Sequence, residues 1–236
     1  MASASLKKRP SAKIVAKRRI RSFKKFFATS FSKEKLSYMF RILSHPADSF
    51  YEIRHREYGS VPLALLVVVL FAVCYTCNRI FASFVVNDVD PITIDGITEL
   101  SAILLLVLLF SIGNWAVTCL MGGEGRFKDI LTVVGYALLP LMAAYIPATF
   151  LSLFIAAGEE VFYTFIIGFG IAWTAVLVLM GIMTVHNYTL VKTLITLFLT
   201  FLAMFIVIFF ALLLADMINQ LIGFFAGIYT ELIFRT

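Results

Sequence analysis

Charge is what this sequence has least of. Asp, Glu, Lys and Arg make up 14% of its residues, where a soluble domain carries about a quarter. Apolar residues make up 61%, and they gather in runs of about 20, the length that crosses a bilayer. The runs are continuous, not alternating, which argues against a β-barrel. Cysteine is scarce as well: Cys74, Cys77 and Cys119 are the whole set. Cys74 and Cys77 form a CxxC inside an apolar run, with no second pair or His at metal-ligand spacing. They read as small buried thiols on one helix. The middle of each apolar run lacks Asp, Glu, Lys and Arg. That argues against a proton-coupled pump and against an aspartyl or metallo intramembrane protease. His45, His55 and His186 fall outside the runs and share no metal spacing. Ser101, Ser111 and Ser152 have no His nearby. The expectation is therefore a protein that is not an enzyme, with no cofactor and no metal.

The charge that exists is lopsided. Residues 1–60 hold 15 bases against 4 acids, net +11, and residues 61–236 hold 5 bases against 10 acids, net −5. No acid precedes Glu34. Residues 1–33 thus form a basic arm, "KKRPSAKIVAKRRIRSFKKFF" at its heart. A secretory signal is excluded because no apolar stretch follows the bases. A mitochondrial transit peptide fits the composition. A nucleic-acid arm has no binding fold behind it, and no nucleic acid is expected. The commonest source of such a pattern is a juxtamembrane segment held on anionic lipid, here that of the inner leaflet. In residues 34–60, Leu36, Met39, Phe40 and Leu43 recur at helical spacing. That stripe predicts short helices lying flat on the membrane.

The fold class read from the remainder is all-α, a multi-pass integral membrane protein with five transmembrane helices. The spans are placed at about 62–86, 97–120, 130–157, 161–185 and 194–215. Residues 216–236 either continue the fifth helix or form an amphipathic interfacial helix. Lys and Arg in short loops mark the cytoplasmic side. The arm, Arg126, Lys128 and Lys192 therefore read as inside; the acid-only loops around Asp90 and Glu160 read as outside. The layout is a cell-membrane protein with a cytoplasmic N-terminus and an external C-terminus. On the outer side Arg79, Glu99 and Asp216 could pair, with snorkelling to the interface as the alternative.

One stretch breaks the apolar pattern: "NWAVTCLMGGEGRFKDILTVVGYALLP", residues 114–140. It resembles the Yip-type family, the membrane proteins named for interaction with Ypt/Rab GTPases. The resemblance is carried by Asn114 and Trp115 ending one span and Gly122 and Gly123 in the loop. Phe127 and Lys128 follow, then Gly135, Tyr136 and Pro140 in the next span. "HPADSFYEIRHREYGSVPLALL", residues 45–66, is similar to the segment before the spans in bacterial members. The resemblance implies five spans and a cytoplasmic N-terminus. The acidic Asp-Leu-x-Gly-Pro stretch of eukaryotic members is missing, which puts a Rab-type GTPase partner in doubt. Bacterial members often stand beside transport machinery, so the resemblance implies other membrane proteins as partners, such as ABC transporter subunits. Gly122, Gly123 and Gly125 are read as permitting a tight turn. Arg126 and Lys128 would pin it inside, and Pro140 would kink the third span. The second and third spans are then expected to be the packed centre. Two functions fit: a non-enzymatic scaffold or accessory subunit, or a transporter subunit with its own path between the spans.

Overall fold

A computed structural model describes residues 31–56, 58–87, 89–156 and 158–234. Residues 1–30 of the basic arm lie outside the described residues. All regular structure among the described residues is helical. Two short helices come first, α1 (Lys33–Arg41) and α2 (Pro46–His55). Ser32 caps α1 by accepting from the Lys35 amide, and Pro46 opens α2 where a missing N–H is harmless. Then follow α3 (Val61–Phe81), a 3-10 turn (Pro91–Thr93), α4 (Gly96–Leu120), α5 (Phe127–Ala137), α6 (Leu139–Ser152), α7 (Glu160–His186) and α8 (Leu190–Phe234). Five segments are long and apolar enough to cross a membrane, with α5 and α6 together making the third.

Each boundary has a local cause. Helix α3 stops at Phe81, short of the expected Val86, because Asn87 folds back and donates its amide to the Arg79 carbonyl at 2.6 Å. Asp95 caps α4 through the Ile97 amide and the Thr98 hydroxyl. Those bonds to its charged form hold the Asp95 carboxyl below its usual range. The third span breaks at Leu138, where the amide closes a short bond to the Gly135 carbonyl at 3.4 Å. Pro140, two residues on, cannot donate to Tyr136, so the ladder restarts as α6. Asn187, in the left-handed region at φ 55°, ends α7. Helix α8 runs unbroken for 45 residues, about 67 Å. The stretch after 215 thus continues the fifth helix.

The centre of the bundle is the broken third span together with the first. Every residue of α5 from Asp129 to Ala137 is buried. The third span's apolar window is 56% buried and the second span's is 28%. The expectation that the second span shares the centre is corrected: α4 lies at the edge, between α3, α5 and α8. Helices in lipid lack a hydrophobic drive to associate, so they pack where small residues let backbones meet. Gly135 faces Ala64, and a Cβ there would lie 2.7 Å from the Ala64 Cβ. Polar ties join the same helices. Asn78 of α3 donates to Thr149 of α6 and accepts from Tyr163 of α7, each at 2.8 Å. Asn114 of α4 donates to Thr200 of α8 at 3.1 Å.

Candidate functional site

The end of the bundle that carries α1 and α2, called proximal here, brings three chain segments together: α2, the loop 121–126, and the α7–α8 turn. The loop enters after α4 with Gly122 at φ +68°. That is a conformation an L side chain rarely adopts, and nothing stands within 4 Å of a Cβ built there. Gly123 and Gly125 serve differently. Neither has a positive φ; their backbones lie against the α7 terminus. A Cβ on Gly123 would sit 2.5 Å from the His186 Nδ1, 2.7 Å from the Tyr188 hydroxyl and 2.9 Å from the Thr118 Cβ. A Cβ on Gly125 would sit 2.6 Å from the His186 Cε1 and 2.7 Å from Val185. So only Gly122 needs glycine for the turn, and the other two need it for contact.

His186 holds this contact. It is 2% exposed. The Gly125 amide donates to its Nδ1 at 3.2 Å, so Nδ1 carries no proton and Nε2 does. The ring stacks on Tyr188 with centroids 5.3 Å apart. Lys192 lies over the other ring of that pair, 4.1 Å from the Tyr188 centroid. Burial raises the Tyr188 hydroxyl above its ordinary pKa, so it stays a donor. Its nearest acceptors are the Thr118 and Met121 carbonyls at 3.5 and 3.4 Å. Arg54 of α2 ties the third segment in. It donates to the Val185 carbonyl at 2.6 Å, one of the orphan acceptors at the α7 end, and pairs with Glu124 of the loop.

The other sequence-derived residues fall into three places. Arg126 bonds Asp129 at 2.8 Å across the first turn of α5, and Lys128 is exposed beside it. Trp115 meets Phe127 edge to face, centroids 6.2 Å apart. Gly135, Tyr136 and Pro140 are deep in the bundle; the Tyr136 hydroxyl receives the Ser60 amide at 3.2 Å and leads α5 to the start of α3. At the opposite, distal end Arg79 pairs with Glu99. Asp216 does not join them: it is exposed, and its partner is Gln220 at 3.2 Å. Sequence reasoning passed over His186, Tyr188, Arg54 and Glu124. The signal available was the loop itself, since three glycines in four positions imply a bulky neighbour elsewhere.

Chemically this end is a clasp. Among the described residues no group of three or more His, Cys, Asp and Glu could hold a metal ion. One comparison bears on what such an arrangement belongs to. A family model described as Yip1 domain matches residues 40–230, from the last turn of α1 to the last turn of α8. No curated protein and no solved structure matches the chain.

Proposed function

The chain belongs to the Yip1 domain family, and from that membership we propose that it is a non-enzymatic membrane scaffold or accessory subunit for other membrane proteins. One observation supports this reading above the rest. The clefts between the spans are apolar. One is lined by Val73, Phe81 and Ile146, another by Leu106, Phe110 and Phe201. The centre is filled by Tyr136, Ile130, Leu177 and Ile182, each fully buried. A substrate path needs polar groups facing a wet cavity. The polar side chains inside this bundle bond one another, as Asn78 does with Thr149 and Tyr163, or a carbonyl of their own helix, as Ser111, Thr196 and Thr200 do.

A partner would meet the proximal end, inside the cell by the loop-charge rule. There the clasp fixes an outward surface that includes Glu124, Arg126, Lys128 and Lys192. Bacterial origin and a transporter as partner are part of the same reading. The test is purification of the tagged full-length chain in mild detergent, with quantification of what accompanies it. A membrane protein at fixed stoichiometry, lost on Lys128→Glu with the fold intact, is the expected result. Solute uptake by proteoliposomes holding this chain alone would overturn it in favour of a transport subunit.

A further inference from the structure

A cleft unlike those between the spans lies outside them, between α1 and α2. It is an open groove of about 600 Å³, lined by Lys33, Arg41 and Arg56 among others. The rings of Tyr38 and Tyr58 stack beside it, centroids 5.5 Å apart. Two acids, Glu34 and Glu52, share the wall, leaving it net positive. Among the described residues neither Lys33 nor Arg41 forms an ion pair. Arg56 reaches Glu52 at only 3.7 Å and is 67% exposed. Burial first, and then the Glu52 charge, push the Tyr38 hydroxyl far above its ordinary range, so it remains a donor. Its proton goes to the Ser49 carbonyl, which fixes α1 on α2.

The position of the cleft follows from the helical rows of α1. Residues four apart lie on one row. Leu36 and Phe40 make one row and are 43% and 54% exposed. Lys33, Ser37 and Arg41 make the adjoining row, and all three line the cleft. Just past α1, Leu43 lines a groove with Pro140, Ala144 and Trp173 of the spanning helices. The end of α1 is thus at membrane level. An exposed apolar row there suits lipid, and bases beside such a row can reach the headgroups.

We propose that the α1–α2 cleft binds the phosphate-bearing headgroup of an anionic lipid, with Lys33, Arg41 and Arg56 around the phosphate. Arg forks match phosphate oxygens in pairs, and the Ser37 hydroxyl adds a neutral donor. The volume suits more than a bare phosphate, since sites for small molecules run about 300–1,000 Å³. The neighbouring apolar row commits the occupant to a lipid and not a free ion. This site rests on the placement of α1 at the bilayer. It depends neither on the scaffold reading nor on residues 1–30 of the arm.

The full-length protein, delipidated in neutral detergent, is titrated with phosphatidylinositol phosphate, phosphatidylglycerol and phosphatidylcholine and read by native mass spectrometry. One anionic lipid should bind at least about tenfold more tightly than phosphatidylcholine, as two or more bases at a surface allow. Arg41→Gln with Arg56→Gln should abolish the preference, and Glu52→Gln should strengthen it. Replacing Lys17, Arg18 and Arg19 of the arm by Gln should leave it intact. Equal binding of all three lipids overturns the proposal. So does a preference lost only in the arm variant. Displacement by millimolar inorganic phosphate overturns the lipid assignment. Should the double Arg variant melt early, Glu52→Gln decides alone: unchanged affinity there refutes the site.

Discussion

Gly123→Ala adds one methyl group to the chain, and the structure says where it goes. The new Cβ would stand 2.5 Å from the His186 Nδ1, 2.7 Å from the Tyr188 hydroxyl and 2.9 Å from the Thr118 Cβ. No real Cβ tolerates that, so something must move. The imidazole cannot easily retreat: it is 2% exposed, stacked on Tyr188, and accepting the Gly125 amide. Forcing a methyl into such a site costs about 1–3 kcal/mol. Losing the Gly125–His186 bond adds about 1 kcal/mol. The expected total is roughly 2–4 kcal/mol, read as a lower midpoint in detergent unfolding. Gly122→Ala separates the causes. It meets no neighbour, so its loss is that of the φ +68° backbone alone, about 1–2 kcal/mol. Measured in a His186→Ala background, Gly123→Ala should cost at most half as much, because the nearest obstacle is gone. A stable Gly123→Ala protein, or one that His186→Ala does not relieve, would refute the clasp.

Three further outcomes follow from other elements. Single cysteines at Arg126 and Lys192, in a Cys-free background, should resist an impermeant thiol reagent on intact cells, whereas those at Asp90 and Glu160 should label; the reverse pattern would sink the loop-charge topology. Pro140→Ala should lower the unfolding free energy by about 1 kcal/mol, although alanine favours helix, because the break at Leu138 is already built and proline restricts the unfolded chain; a gain in stability would show the break to be strain. Arg79→Gln leaves Glu99, only 17% exposed, without its cation, and the loss should be about 1–2 kcal/mol; a neutral result would return both residues to simple snorkelling.

Some of this was legible in the chain and some was not, for physical reasons. Span number and helical class follow from apolar run length, a local property. The end of α3 was missed because Asn87, six residues past Phe81, reaches back to Arg79. Pro140 announced the break in the third span, yet Pro147 sits inside α6 without ending it. Residue type alone does not tell those two apart; their neighbours do. The role of Gly123 and Gly125 was invisible because its cause, His186, lies 61 residues beyond Gly125. The pairing of Arg79 with Glu99 without Asp216 depends on where α8 diverges from the bundle. No spacing rule encodes that. Past Met204, α8 is exposed on all sides among the described residues.

The packed centre raises a question of which contacts specify it. Hydrogen bonds between helices in lipid contribute about 0.6 kcal/mol on average and at most about 1.7, because the separated helices also find partners. Asn114→Leu, which removes the bond to Thr200, should therefore be a modest change. Gly135 is the opposite case. A Cβ there would lie 2.7 Å from the Ala64 Cβ, 2.8 Å from the Ala64 carbonyl oxygen and 3.0 Å from its carbon. Two of those three atoms are backbone, so no rotamer change relieves the clash. Helix α3 as a whole must move from α5, and with it the Ser60–Tyr136 bond that holds its first turn. Gly135→Ala should thus cost more than Asn114→Leu, roughly 3 kcal/mol against 1 or less. Both variants are compared by unfolding titration in the same detergent. If Asn114→Leu proves the more damaging, hydrogen bonding and not backbone approach sets this bundle.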